Sequence, residues 1–247
     1  MELNPTTVLI ILCLLAAAFM KGVTGMGFPL IATPILTLLL DIRSAVVVLI
    51  VPSMLMDITQ ICRGVFPVNL LKRLAGFTLL GVLGAYLGTG FLITLPLWVL
   101  NLCLGSMVLV FVAANLLHPA LKISSKAEKI LSPLVGFAAG FLNGMTNVSG
   151  PVLAMYFYGL KLSKTEFVKA SATIFFILKC GQIVALSSWN QFSWPLFRLS
   201  LILIVLLCAG FYAGLKTQDR VNQDAFNRGL LLVLTVIGVT LIFRALR

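Results

Sequence analysis

Charge is scarce in this 247-residue chain, which holds seven Asp and Glu, one His and only 10% charged residues in all. A soluble globular domain carries about 25% charged residues, so an ordinary solvated surface is excluded. His118 is the single histidine, which leaves no material for a histidine-based metal site or a Ser-His-Asp triad. The five cysteines (Cys13, Cys62, Cys103, Cys180 and Cys208) form no CxxC pair and read as buried small hydrophobes. No P-loop is present, so the chain is not expected to bind ATP directly, and no cofactor or metal is expected. Asp41, Glu128, Glu166, Asp219 and Asp224 fall at span ends or in loops and read as solvated flanking charge. Asp57 is then the only deep carboxylate. No nucleophile, base and orienting group can be clustered from such residues, which argues against an enzyme.

What the chain has instead is apolar length. Hydrophobic residues make up 60% of it and the mean hydropathy is +1.12. Apolar runs cover approximately 7–40, 44–62, 74–93, 97–117, 130–160, 167–187, 196–215 and 229–243. A helix crosses the hydrocarbon core with about 20 residues, and none of the runs shows the strict alternation of a membrane β-barrel. An all-α polytopic membrane protein is expected. The opening Met1-Glu2-Leu3-Asn4 lacks the positive region of a cleavable signal peptide.

The sequence also says nearly the same thing twice. Gly22-x-Thr24-x4-Pro29 returns as Gly144-x-Thr146-x4-Pro151, and Gln60 as Gln182, at a shift of 122. Gly84-x-Tyr86-x-Gly88 returns as Gly210-x-Tyr212-x-Gly214, and Asn101 as Asn227, at a shift of 126. Four matches in order argue for an internal duplication. The paired Gly-x-Tyr-x-Gly motifs read as helix-packing faces. The expected organisation is a first repeat over 1–120, a cytoplasmic linker over 121–129 and a second repeat over 130–247.

A net charge of +11 raises the question of nucleic acid, yet no basic groove with interleaved aromatics is present. Twelve of the 18 Lys and Arg sit in four short connections, as the positive-inside rule predicts for cytoplasmic loops. These hold Arg63, Lys72 and Arg73; Lys122, Lys126 and Lys129; Lys161, Lys164 and Lys169; and Lys216, Arg220 and Arg228. Runs 7–40 and 130–160 each carry the Gly-Thr-Pro motif near the middle. If each turns back there as a hairpin, Lys and Arg divide 12 to 4 between the two faces, with Lys21 and Lys179 inside the membrane. If each crosses once, the division is an unbiased 9 to 7. The hairpin is therefore expected. A hairpin plus three crossings is odd, so the repeats should be inverted about an axis in the membrane plane. Both termini, with Trp98, Trp189 and Trp194, then lie on the non-cytoplasmic side.

The hairpin tips are the candidate site. Tip one holds Gly22, Thr24, Gly25, Gly27 and Pro29; tip two holds Gly144, Thr146, Asn147, Ser149, Gly150 and Pro151. Glycine permits positive φ and proline suits the first turn of a returning helix. The returning helix presents unpaired N–H groups and the positive end of its dipole, a ready anion site. Thr24, Thr146, Asn147 and Ser149 would add neutral donors. The plain alternative is that small residues let helices pack tightly; the repetition and the paired prolines favour broken helices.

These paired Gly-rich signatures, Gly22 to Pro29 and Gly144 to Pro151, resemble those of the TauE/SafE sulfite exporter family, and the likeness covers essentially the whole chain. It implies secondary transport of small sulfur-containing or carboxylate anions, such as sulfite or organosulfonates, across the bacterial inner membrane. Met26, Phe28, Asn147, Val148 and Ser149 depart from the usual glycine triplet and alter the pocket wall.

Charges inside a membrane are costly and mark function. Asp57 and Lys179 are equivalent at the shift of 122, so inverted symmetry would let them meet as a gate, a proton-linked switch, a counter-charge or a static pair. Gln60 and Gln182 follow one turn later, as anion donors or helix bridges. Lys21 borders tip one, to attract an anion or to snorkel. The expected partners are a small anion, the lipid bilayer and a coupling proton or ion; a homo-oligomer is compatible with the sequence, and nucleic acid is not expected. A channel-like anion facilitator and a non-transporting partner subunit are the alternatives, the latter leaving the duplicated tips unexplained.

Overall fold

In a computed structural model that describes residues 5–63, 68–117, 123–217 and 223–246, eleven helices and no strand occur among the described residues. The first half contains α1 (Pro5–Thr24), α2 (Phe28–Thr37), α3 (Ile42–Cys62), α4 (Val68–Arg73), α5 (Ala75–Thr94) and α6 (Leu97–Leu117). The second contains α7 (Ser125–Thr146), α8 (Gly150–Gly159), α9 (Lys164–Ser188), α10 (Trp194–Thr217) and α11 (Gln223–Leu246). Five of these, α3, α5, α6, α9 and α10, are long and apolar enough to cross a membrane.

Both long runs break at the motif. In the first, 20 residues of α1, about 30 Å of helix, are followed by 10 residues of α2, about 15 Å. In the second, α7 gives way to the 10-residue α8. α2 has Gly27 as its N-cap at φ 97°, and a proline stands in the first turn of both α2 and α8. Gly25 and its counterpart Asn147 both sit in the left-handed region, at φ 86° and 61°.

Close backbone approach governs how the long helices pair. A Cβ on Gly84 would come within 2.3 Å of the Phe137 carbonyl oxygen, and one on Gly140 within 1.9 Å of the Gly81 oxygen. Contacts of Gly136 with Phe77 and of Gly144 with Ala85 extend the series, so α5 and α7 run parallel. In the other half, Gly210 meets Leu15 and Gly214 meets Phe19, so α10 and α1 run parallel too. The Gly-x-Tyr-x-Gly motifs are thus packing faces. The self-equivalent pairs behave differently. Gly105 of α6 meets Gly238 and Ile242 of α11 while Leu109 meets Gly238, an antiparallel contact. Lys169 and Lys179 of α9 reach back to Ile61 and Asp57 of α3, antiparallel again. Exchange of the halves converts α5/α7 into α10/α1 and α5/α9 into α10/α3, and all four pairs are in contact.

Three details differ from the sequence reading. α7 starts at Ser125, with Ser124 as its N-cap, so the last five residues of the expected linker are helical. α4 is a short amphipathic turn that the hydropathy pattern hides. Glu128 is not a solvated flanking charge: it is 6% exposed and its two oxygens accept from Nε and Nη2 of Arg73. Asp41 instead caps α3 through the N–H groups of Arg43 and Ser44, and Glu166 completes a capping box with Ser163 on α9. His118, Lys122, Asp219 and Arg220 lie outside the described residues, as do the side chains of Asp224, Asn227 and Arg228.

The backbone contacts predict that Gly140→Leu forces α5 from α7 and abolishes the folded monodisperse protein in detergent. Gly76→Ala meets nothing within 4 Å and leaves the thermal midpoint unchanged. Equal behaviour of the two variants would contradict this packing.

Candidate functional site

The two tips repeat one hydrogen-bond pattern. Asn147 N–H donates to the Asn143 carbonyl at 2.7 Å, as Gly25 N–H does to Lys21 at 2.9 Å. The Thr146 hydroxyl donates back to the Leu142 carbonyl at 2.8 Å, and Thr24 to Met20 at 2.9 Å. Each hydroxyl oxygen then accepts from the N–H two residues on, Val148 or Met26. The threonine protons are therefore engaged in the turn.

The glutamines are engaged as well. Gln60 Nε2 donates to the Lys21 carbonyl at 3.0 Å, and Gln182 Nε2 donates to the Asn143 and Gly144 carbonyls at 3.2 Å each. The Lys21 and Asn143 carbonyls thus accept a second donor beside the turn N–H, and Gln182 also reaches the Gly144 carbonyl near the end of α7. Gln60 and Gln182 thus bridge helices. Ser149 Oγ donates to Asn143 Oδ1 at 3.3 Å, and the Asn143 amide lies 3.5 Å from Gln182 Oε1.

What remains uncommitted includes both donors and acceptors, Gln60 Oε1 among the latter with no partner among the described residues. Among the described residues no side chain caps the N-terminus of α2 or of α8. Asn147 is 1% exposed, and neither its amide nitrogen nor its oxygen has a partner among the described residues. There is also room. Gly150 is buried, yet a Cβ built on it would meet nothing within 4 Å, and one on Gly27 would meet only Met20 at 3.9 Å.

Between the tips lies a buried charge cluster. Lys179 Nζ is 2.6 Å from Asp57 Oδ2, and both residues are 0% exposed. Lys21, at 1% exposure, donates to the other carboxylate oxygen and so does not snorkel to water. Lys179 also faces the Phe175 ring, 5.2 Å from its centroid. Asp57 and Lys179 are equivalent positions in contact, so they stand where any twofold relating the halves must pass. Asp57 lies one turn before Gln60, and Lys179 one turn before Gln182. The cluster is bonded to tip one through Lys21, while Gln182, one turn beyond Lys179, meets tip two. With all three groups ionised, the cluster carries one more positive charge than negative.

The comparison with known families decides the affiliation. The chain matches the family described as sulfite exporter TauE/SafE over residues 9–241. It belongs to that family. No curated protein and no solved structure matches the chain. TauE/SafE membership and the apolar helices make it an integral membrane protein of a transporter family.

All the expected site residues fall on the two tips or on the facing stretches of α3 and α9. Sequence reasoning passed over Asn143 as a site residue; its equivalence to Lys21 at the shift of 122 was the available signal. It also read Arg63, Lys164 and Lys169 only as loop charge, whereas they line a cavity of about 280 Å3 that reaches Gly22, Gly25 and Gln60.

Breaking a buried ion pair by removing one partner costs about 3–5 kcal/mol. Asp57→Asn strands two ammonium groups, whereas Lys21→Met or Lys179→Met leaves a one-to-one pair. The thermal midpoint of purified Asp57→Asn should therefore fall below that of either lysine variant. The reverse order would exclude a carboxylate shared between both lysines.

Proposed function

We propose that this TauE/SafE protein is a secondary transporter of small anions, with sulfite and organosulfonates as its substrate class, working by alternating access around the two tips. One observation carries the reading: a buried cluster of two lysines and one aspartate, joined to broken helices whose N-termini have no side-chain cap and whose first turns border empty space. Such a place attracts an anion through excess positive charge, helix dipoles and unpaired N–H groups.

In this mechanism the anion sits against the first turns of α2 and α8, and Asn147 supplies a neutral amide. Lys21 and Lys179 share Asp57 while the site is empty, and one of them turns toward the anion when it is filled. Asp57 is the group through which a proton would couple. The antiparallel contacts of α3 with α9 and of α6 with α11 support inverted repeats, the arrangement that makes two access states near-equivalent. Orientation follows the basic connections: they face the cytoplasm of a bacterial inner membrane, both termini face away from it, and transport runs outward.

Gly150→Leu tests the site, because its side chain enters the open space before α8 without meeting neighbouring backbone. Purified protein should keep its thermal midpoint, while sulfite flux in proteoliposomes falls by at least about 100-fold. Retained flux would place the anion path elsewhere.

A further inference from the structure

The C-terminal ends of α3 and α10, two helices long and apolar enough to cross the membrane, frame a groove on the outside of the protein. It is a cavity of about 630 Å3, lined by Ile58, Thr59 and Arg63 from the end of α3 and by Tyr212, Leu215 and Lys216 from the end of α10. Ile58 is 40% exposed and Tyr212 53%, so the groove faces outward along its apolar length. Its end is basic. Among the described residues no acidic side chain lines it, and neither the Arg63 guanidinium nor the Lys216 ammonium has a hydrogen-bond or ion-pair partner.

The duplication shows what such a groove holds when the protein fills it itself. At the equivalent place between α9 and α5, Tyr86 stands for Tyr212 and Gly90 for Lys216. There Trp189, the C-cap of α9, lays its ring 5.4 Å from that of Tyr86, and a Cβ on Gly90 would come within 3.3 Å of the indole. Trp189 corresponds to Pro67, so no indole is available beside Tyr212.

A groove open to hydrocarbon is filled by an acyl chain, since a void forfeits its contacts. The headgroup that the chain brings is decided at the basic end. Basic pockets between membrane helices hold anionic headgroups, with arginine gripping a phosphate through two N–H groups and lysine acting as a point charge. We propose that this groove is a site for an anionic phospholipid, its phosphate held between Arg63 and Lys216 and one acyl chain lying along Ile58, Tyr212 and Leu215. The lipid braces α3, the helix that carries Asp57, against α10. The proposal does not depend on what the tips carry. Cations placed only to complement the carbonyl ends of two helices would show no preference between headgroups.

That difference is the test. Native mass spectrometry of the delipidated full chain in a neutral detergent reads the binding of added phosphatidylglycerol and of phosphatidylcholine with the same acyl chains. One cation near an anionic headgroup is worth about fivefold in affinity. The wild type should therefore bind one phosphatidylglycerol about 25-fold more tightly than phosphatidylcholine. Lys216→Gln should cut that preference to about fivefold, and Arg63→Gln/Lys216→Gln should remove it, with phosphatidylcholine binding unchanged throughout. Arg63 also borders the cavity beside tip one and Lys216 does not, which makes the single variant the cleaner reading. Thr59→Trp sets an indole in the groove, as Trp189 does on the other side, and should displace phosphatidylglycerol although both cations remain. Equal binding of the two lipids by the wild type, or a preference that survives the double variant or Thr59→Trp, would overturn the site.

Discussion

A helix that stops inside a hydrophobic slab leaves bare carbonyls at one end and bare N–H groups at the end that follows. Each such group costs several kcal/mol if nothing meets it. Here the two ends are treated differently. The carbonyls of α1 and α7 are covered by Gln60 and Gln182 and by the turn-forming threonines. The N-termini of α2 and α8 receive no side-chain cap. The uncapped N-termini are what the proposed anion site rests on.

The charge cluster extends the same logic. Duplication makes Asp57 and Lys179 equivalents, and the antiparallel packing of α3 and α9 brings them into contact. Two identical residues at such a place would repel or waste their pairing; divergence to opposite charge removes that conflict. Lys21 then tips the balance, because its own equivalent is the neutral Asn143. The site is symmetric in its backbone and asymmetric in its charge.

Much of this was legible in the sequence. The hairpin break follows from run length against hydrocarbon thickness, and the shift of 122 pairs the tips and pairs Asp57 with Lys179 before any coordinate is known. Other features were hidden for physical reasons. Lys21 meets Asp57 only through the register of α1 on α3, which no repeat encodes. Arg73 and Glu128 looked like ordinary interface charges, since a pair between the end of α4 and the first turn of α7 leaves no periodicity. The threonines and glutamines of the tips have donors that suit an anion or a carbonyl equally well, and only geometry shows that they serve carbonyls.

The account depends most on where the anion binds. Selenite, a heavier analogue of sulfite, can be located by its anomalous scattering in crystals of the protein. The account predicts a single strong peak against the first turn of α8, within hydrogen-bonding reach of Asn147 and of Lys21 or Lys179. Peaks confined to surface lysines, with none at the broken helices, would contradict it.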